Sequence, residues 1–311
     1  MQKATRSGAR QQPAASRPPA DIRALSDRTL AWEDIVAWRR RIWPVIEPHL
    51  GRVRGAPLAP GTRLTERSRE RLRARLRRKA AVSALAAALP RLYDRVRLFH
   101  GCRPVDVTSY YTCGIKPLDR THANAAAYTT FLAGAFPELT RADVDAAIEE
   151  VGSHLREDRV YFCFDGRELV EYCGHYLIYG SEYLFGVGAS LMRLRRRRDG
   201  RSPDYREALK RIGIPTLLIV DLPLALLRRS TVREIAEALL DGVGLTQGVA
   251  DEALREAPAD RSGFWTDQVV PPAHIAGHTH PESIPDWHTL DGGLYRWRRD
   301  HRASSTAGES R

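Results

Sequence analysis

The run Ile214-Pro215-Thr216-Leu217-Leu218-Ile219-Val220-Asp221 is the segment that most narrows what this chain can fold into. It is short, apolar, partly β-branched and closed by Pro223, which makes it a buried-type strand. Three more segments have strand character: 95–99 running into His100-Gly101, Val160-Tyr161-Phe162-Cys163-Phe164 turned by Asp165-Gly166, and Phe264 to Val270 ended by Pro271-Pro272. Helical patterns lie among them. Leu30, Trp32, Ile35, Trp38, Ile42 and Trp43 recur at helical spacing over 29–43, up to Pro44. Residues 64–89 form a long helix, basic in its first half and apolar in its second, with Leu64, Leu72, Leu76, Ala80 and Leu85 toward a core. Thr140 and Asp143 make a capping box ahead of Val144, Ala147, Ile148, Val151 and Leu155 on one helical face. Ser202-Pro203 opens a short helix that Gly213 ends, and Thr231 with Glu234 opens another that Gly242 ends. Strands and helices in this irregular order predict an α+β fold rather than a doubly wound sheet.

With 311 residues, 43% of them apolar, the chain can bury one large core or two modest ones. No apolar run reaches the roughly 18 residues a membrane helix needs. No apolar segment follows Lys3 and Arg6 as in a secretory signal, so a cytoplasmic protein without a membrane partner is expected. Cys102, Cys113, Cys163 and Cys173 form no Cys-x-x-Cys pair, which argues against a zinc ribbon and fits reduced thiols. Residues 1–25 and 301–311 read as disordered tails, 26–94 as a helical region and 95–300 as the α+β domain. The best internal break is the Gly- and Pro-rich stretch 51–62.

The formal net charge of +11 is concentrated in two places: nine basic against two acidic residues in 61–80, and six against one in 191–201. The helices at 63–79 and 193–201 could therefore meet an acidic partner, protein or nucleic acid. Only four of the 49 basic residues are lysine, a bias that GC-rich codon usage produces, and solvated helix faces explain the same pattern.

A strand that delivers His100 and Gly101 side by side can grip a planar amide, with imidazole on one side and exposed backbone N–H and C=O on the other. Gly114-Ile115-Lys116-Pro117 follows a helical stretch over Val107 to Tyr111. Together with Val160-Tyr161-Phe162 and Gln268-Val269-Val270-Pro271-Pro272-Ala273-His274-Ile275, these pieces resemble the NAD-dependent ADP-ribosyltransferases of the diphtheria-toxin and poly-ADP-ribose polymerase type, over about residues 95–276. The resemblance implies a split antiparallel sheet and NAD as substrate, cleaved at the nicotinamide–ribose bond, with ADP-ribose passed to an unknown acceptor or to water. It implies that His100 bonds the adenosine-side ribose, that the Gly101 backbone clamps the nicotinamide amide, that Arg103 and Tyr179 help bind the dinucleotide and that Tyr161 stacks on the nicotinamide. Gln268 stands where the family carries a glutamate that stabilises the oxocarbenium-like charge. A neutral Gln268 keeps a hydrogen bond and loses that charge, so Glu182 or Asp267 becomes the alternative acid.

The block Cys173-Gly174-His175-Tyr176-Leu177-Ile178-Tyr179-Gly180-Ser181-Glu182 carries more polar groups than a plain core helix needs. As one helix it would place His175, Tyr179 and Glu182 on one face. Two other readings compete. The same pocket could belong to a non-catalytic nucleotide-binding or interaction protein. His274, His278, His280, Asp286 and His288 could instead ligate the metal of a hydrolase, although the segment also reads as a turn-rich surface loop packed by Ile284 and Trp287.

Overall fold

The computed structural model describes residues 22–50, 66–134, 136–152, 157–245, 263–289 and 293–297. The break expected at 51–62 and most of both expected tails lie outside these residues.

The central pair of strands is β2 (Arg95–Cys102) and β4 (Thr216–Pro223), joined antiparallel through eight residues from Arg95↔Pro223 to Cys102↔Thr216. β4 is buried along its length except at Pro223, as its apolar run requires. β6 (Ile275–Thr279) pairs with the outer edge of β4. On the other side of β2 lie β3 (Val160–Cys163) and then β5 (Gly263–Thr266), giving the order β5-β3-β2-β4-β6 with every one of these pairs antiparallel. The two-residue β1 (Thr29–Leu30) adds in parallel to the start of β2. The protein is thus α+β around an antiparallel sheet.

Both faces of the sheet are covered. α1 (Ile35–Leu50), α2 (Glu66–Leu92) and α9 (Arg229–Leu245) bury Trp38, Ile42, Leu85, Leu89, Ile235 and Leu239 against Val96, Leu98, Leu218, Val220 and Leu222. The expected helical region is therefore one wall of the same core. On the opposite face, α4 (Arg120–Leu132), α5 (Arg141–Val151), α6 (Gly166–Glu171), α7 (His175–Tyr179) and α8 (Glu182–Asp199) bury Phe131, Val144, Ile148, Leu177 and Val187 against Phe99, Leu217 and Ile219. The buried Arg97–Asp221 pair, directly opposite in the β2–β4 register, lies on this second face, with two hydrogen bonds of 2.7 and 3.0 Å.

Several boundaries differ from the sequence expectations, each for a packing reason. Residues 29–34 are not helical, and α1 runs from Ile35 through Pro44 and Pro48. Trp38, Ile42 and Ile46 keep its buried side, and both prolines sit on the exposed side, so burial outweighs the lost backbone bonds. In α2 the buried register is Ala81, Val82, Leu85, Ala88 and Leu89, and Ala80 is exposed. The side chains of Leu64, Leu72 and Leu76 lie outside the described ones. The capping box at Thr140 and Asp143 forms as expected. Asp204, not Ser202, caps the short 3-10 helix Tyr205–Arg211. α9 starts at Arg229, ahead of Thr231, and passes through Gly242, where a Cβ would stand 2.6 Å from the Trp32 ring. Gly242 is there for close packing, not for termination. Residues 22–25, expected in the tail, dock instead: the Arg23 N–H donates to the Ala276 carbonyl at 2.8 Å.

Candidate functional site

The two edges of β2 are unlike. Toward β4 the ladder is complete, whereas toward β3 a single pair, Phe99↔Cys163, is registered. Beyond it His100 does the bridging with its side chain. Its Nδ1 lies 2.8 Å from the Tyr161 carbonyl oxygen. A carbonyl only accepts, so Nδ1 carries the proton. Burial pushes the imidazole below the usual histidine value, against the opposing pull of the Tyr161 carbonyl. His100 is therefore neutral at pH 7, with the lone pair on Nε2. Nε2 makes no hydrogen bond among the described residues, yet it is not sealed from solvent. A hydroxyl donor that reached it would be accepted.

Side chains alternate along a strand, so the Phe99↔Cys163 register decides which groups meet. His100 falls with Phe162, their ring centroids 5.8 Å apart, on the face of α1 and α2. Tyr161 falls with Gly101, Phe99 and Cys163 on the opposite face, and with Trp265, its registered partner on β5. The expectation that His100 and Tyr161 close their rings on one ligand is therefore corrected. They are linked through the Tyr161 backbone, and their side chains point away from each other.

On the Tyr161 face, Gly101 is approached from the helical layer. A Cβ at Gly101 would stand 2.5 Å from Leu169 Cδ2 and 2.9 Å from Tyr176 Cβ. Gly101 is buried, and only glycine lets α6 and α7 come this close to the end of β2. The Tyr176 hydroxyl donates to Glu182 Oε2 at 2.6 Å. Gly101 and Tyr161 thus share a face of the sheet by register, and α7 brings Tyr176, with Glu182 bonded to it, over Gly101. Tyr176 was not singled out from sequence, because its position depends on a break in the 174–184 block. Gly180, at φ 80°, ends α7, and Ser181 caps α8. The block is two helices, and His175, Tyr179 and Glu182 do not share one helical face.

Arg103 and Tyr179 do other work. Arg103 is buried and donates to the carbonyls of Ile212 (2.8 Å), Leu177 (3.2 Å) and Lys210 and to the Tyr295 hydroxyl (2.9 Å). It ties the end of β2 to α7, to the 3-10 helix and to β8 (Leu294–Arg296). Tyr179 is buried, and its hydroxyl bonds both carboxylate oxygens of Asp286 at 2.9 and 3.2 Å. Neither is placed to touch a dinucleotide. Gln268 follows β5 and is exposed, its amide 3.3 Å from Asp267, which itself pairs with Arg228.

The histidine set does not converge as a metal site. His278 bonds the Tyr111 hydroxyl at 2.7 Å, His280 bonds the Pro215 carbonyl at 2.9 Å, and Asp286 is taken by Tyr179 and by Lys210 at 3.2 Å. His288 packs on Phe185 at 4.6 Å. Among the described residues no three His, Cys, Asp or Glu side chains gather as a metal ion would need. The segment read as a loop instead forms β6 and β7 (Ser283–Pro285). Ile284 is fully buried, and Trp287 lies exposed with its indole N–H on the Glu171 carbonyl. Burial pushes the Cys102 thiol up to about 12, which rules it out as a thiolate nucleophile at neutral pH.

Much of the charge at 193–201 is paired on the surface: Arg193 with Glu150, Arg195 with Asp199 and Arg198 with Asp143. In the other basic helix, Arg78 pairs with Asp241. No helix among the described residues is long and apolar enough to cross a membrane. No protein-family model, curated protein or solved structure matches this chain.

Proposed function

We propose that this protein binds NAD at the seam between β2 and β3 and cleaves its nicotinamide–ribose bond, passing ADP-ribose to an acceptor or to water. The observation that carries the reading is that Gly101 and Tyr161 fall on one face of the sheet where the registered β2–β3 pairing stops, with the hydrogen-bonded Tyr176–Glu182 pair packed over Gly101. The Gly101 backbone edge holds the carboxamide, and the two tyrosines supply aromatic surface for the pyridinium ring. As the C1′–N1 bond breaks, its electron pair leaves with nicotinamide and positive charge develops at the ribose. The Glu182 carboxylate is the acid available to stabilise that charge, the role the family gives to a glutamate and Gln268 cannot fill. The neutral His100 accepts a ribose hydroxyl at Nε2 from the other face, so the dinucleotide straddles the strand end.

The test is nicotinamide released from NAD by the purified protein. Tyr161→Ala and Glu182→Gln should each lower the rate at least 100-fold while the far-UV spectrum and Tm stay close to wild type. Saturable NAD binding without release would assign the pocket to a non-catalytic nucleotide-binding protein. Wild-type rates in both variants would remove the site.

A further inference from the structure

We infer that Arg159, Trp265 and Arg228 form an oxyanion subsite for the pyrophosphate of a nucleoside-diphosphate ligand. The guanidinium carbons of Arg159 and Arg228 lie over the same indole, 4.2 and 4.5 Å from the Trp265 ring centroid. Trp265 is the registered partner of Tyr161, so this cationic pair sits beside the candidate site and on its face. The inference thus rests on the reading above for its ligand.

The two arginines differ in what holds them. Arg228 is neutralised by Asp267. Arg159 has no carboxylate partner among the described residues: its one hydrogen bond is from Nη1 to the Tyr161 hydroxyl at 3.3 Å, and its plane rests on Trp265. It is an exposed charge already fixed in orientation, so little side-chain freedom remains to be lost when an anion binds. The residue before it adds to the case. Asp158, at φ 58°, is the one non-glycine residue with positive φ among those described. Such a conformation costs free energy for a side-chain-bearing residue, although aspartate tolerates it best. Here it sits immediately before Arg159, the residue that leads into β3 and lies over Trp265. A planar guanidinium presents parallel N–H donors matched to a phosphate, and a second guanidinium at the same indole adds positive charge beside it.

Trp265 also reports on its own site. Intrinsic fluorescence would be titrated with ADP-ribose, inorganic pyrophosphate and adenosine, in the wild type and in Arg159→Gln, Arg159→Lys and Trp265→Phe. The expected result is a saturable change with ADP-ribose and pyrophosphate, none with adenosine, and loss of the signal in Trp265→Phe. Affinity for ADP-ribose, followed by calorimetry, should fall at least tenfold in Arg159→Gln and less in Arg159→Lys, which keeps charge but loses the planar fork. Equal ADP-ribose affinity in wild type and Arg159→Gln, or no binding of either phosphate probe at millimolar concentration, overturns the inference. The two proposals fail separately. Phosphate binding through Arg159 without nicotinamide release keeps this subsite and removes the enzyme, and NAD cleavage with an unchanged KM in Arg159→Gln does the reverse.

Discussion

β2 carries the contrast between structure and function in this protein on its two edges. Toward β4, eight backbone pairs and the buried Arg97–Asp221 ion pair close the sheet. Toward β3, one backbone pair and one histidine side chain do the same job over the site end of the strand. A ladder is repetitive and forgiving, because losing one bond leaves its neighbours. A seam with one registered pair and one histidine side chain across it is not repetitive, so each contact counts for more. The comparison predicts that substitutions on the closed edge act on stability and those on the open edge act on ligand chemistry.

The largest effect is expected on the closed edge. Asp221→Ala leaves the Arg97 guanidinium buried without its charge partner, which costs about 3–5 kcal/mol. Urea unfolding should show this as a large fall in the midpoint. A loss under about 1 kcal/mol would mean that the Arg23 carbonyl, 2.9 Å from Arg97 Nη2, suffices to hold the cation. Leu218→Ala, at the fully buried centre of β4, should cost about 2–5 kcal/mol by the same measurement. His100→Ala removes one side-chain bond from the seam and should cost only about 0.5–1.5 kcal/mol. Its nicotinamide release should nonetheless fall far more than that of Leu218→Ala measured under conditions where both are folded.

The same contrast explains what could be read from sequence. The closed edge was legible. Leu217 to Val220 had to be buried, and Thr140 with Asp143 had to cap a helix, because each rests on residues a few positions apart. The open edge was legible only in its parts. His100, Gly101 and Tyr161 were visible as residue types at a strand end. Which of them share a face depends on the Phe99↔Cys163 register, which pairs segments some 60 residues apart and has no local signal. Glu182 was a candidate as the acid in place of Gln268, and its contact with Tyr176 was not legible, because the single helix expected across Gly180 is broken there. Arg159 and Trp265 look unremarkable in sequence, and only the β3–β5 pairing brings them together. The late histidines show the converse: their types suggested metal chemistry, and tertiary structure gives His278 and His280 separate hydrogen-bond partners and packs His288 on Phe185.

The smallest predicted effect sharpens the contrast most, because it isolates the one side chain that replaces a ladder. Burial depresses the His100 pKa in the folded protein, while the unfolded chain titrates near 6.5. Between those two values the unfolded state binds more protons than the folded one, so the slope of stability against pH is positive there. The contribution of neutral His100 is thus fully present above about pH 7.5 and is lost as pH falls through the unfolded value toward the folded one. His274, His278 and His288 are also depressed, so the whole protein should weaken in acid. His100→Gln separates the terms, since glutamine can still donate to the Tyr161 carbonyl but has no proton to gain. Unfolding free energies of the two proteins should differ by a constant at pH 7.5 and above. They should converge or cross as pH is lowered to 5, with the wild type losing more. Parallel profiles over that range would mean that the imidazole reaches enough solvent to titrate normally, and the seam would then be no more protected than any surface strand end.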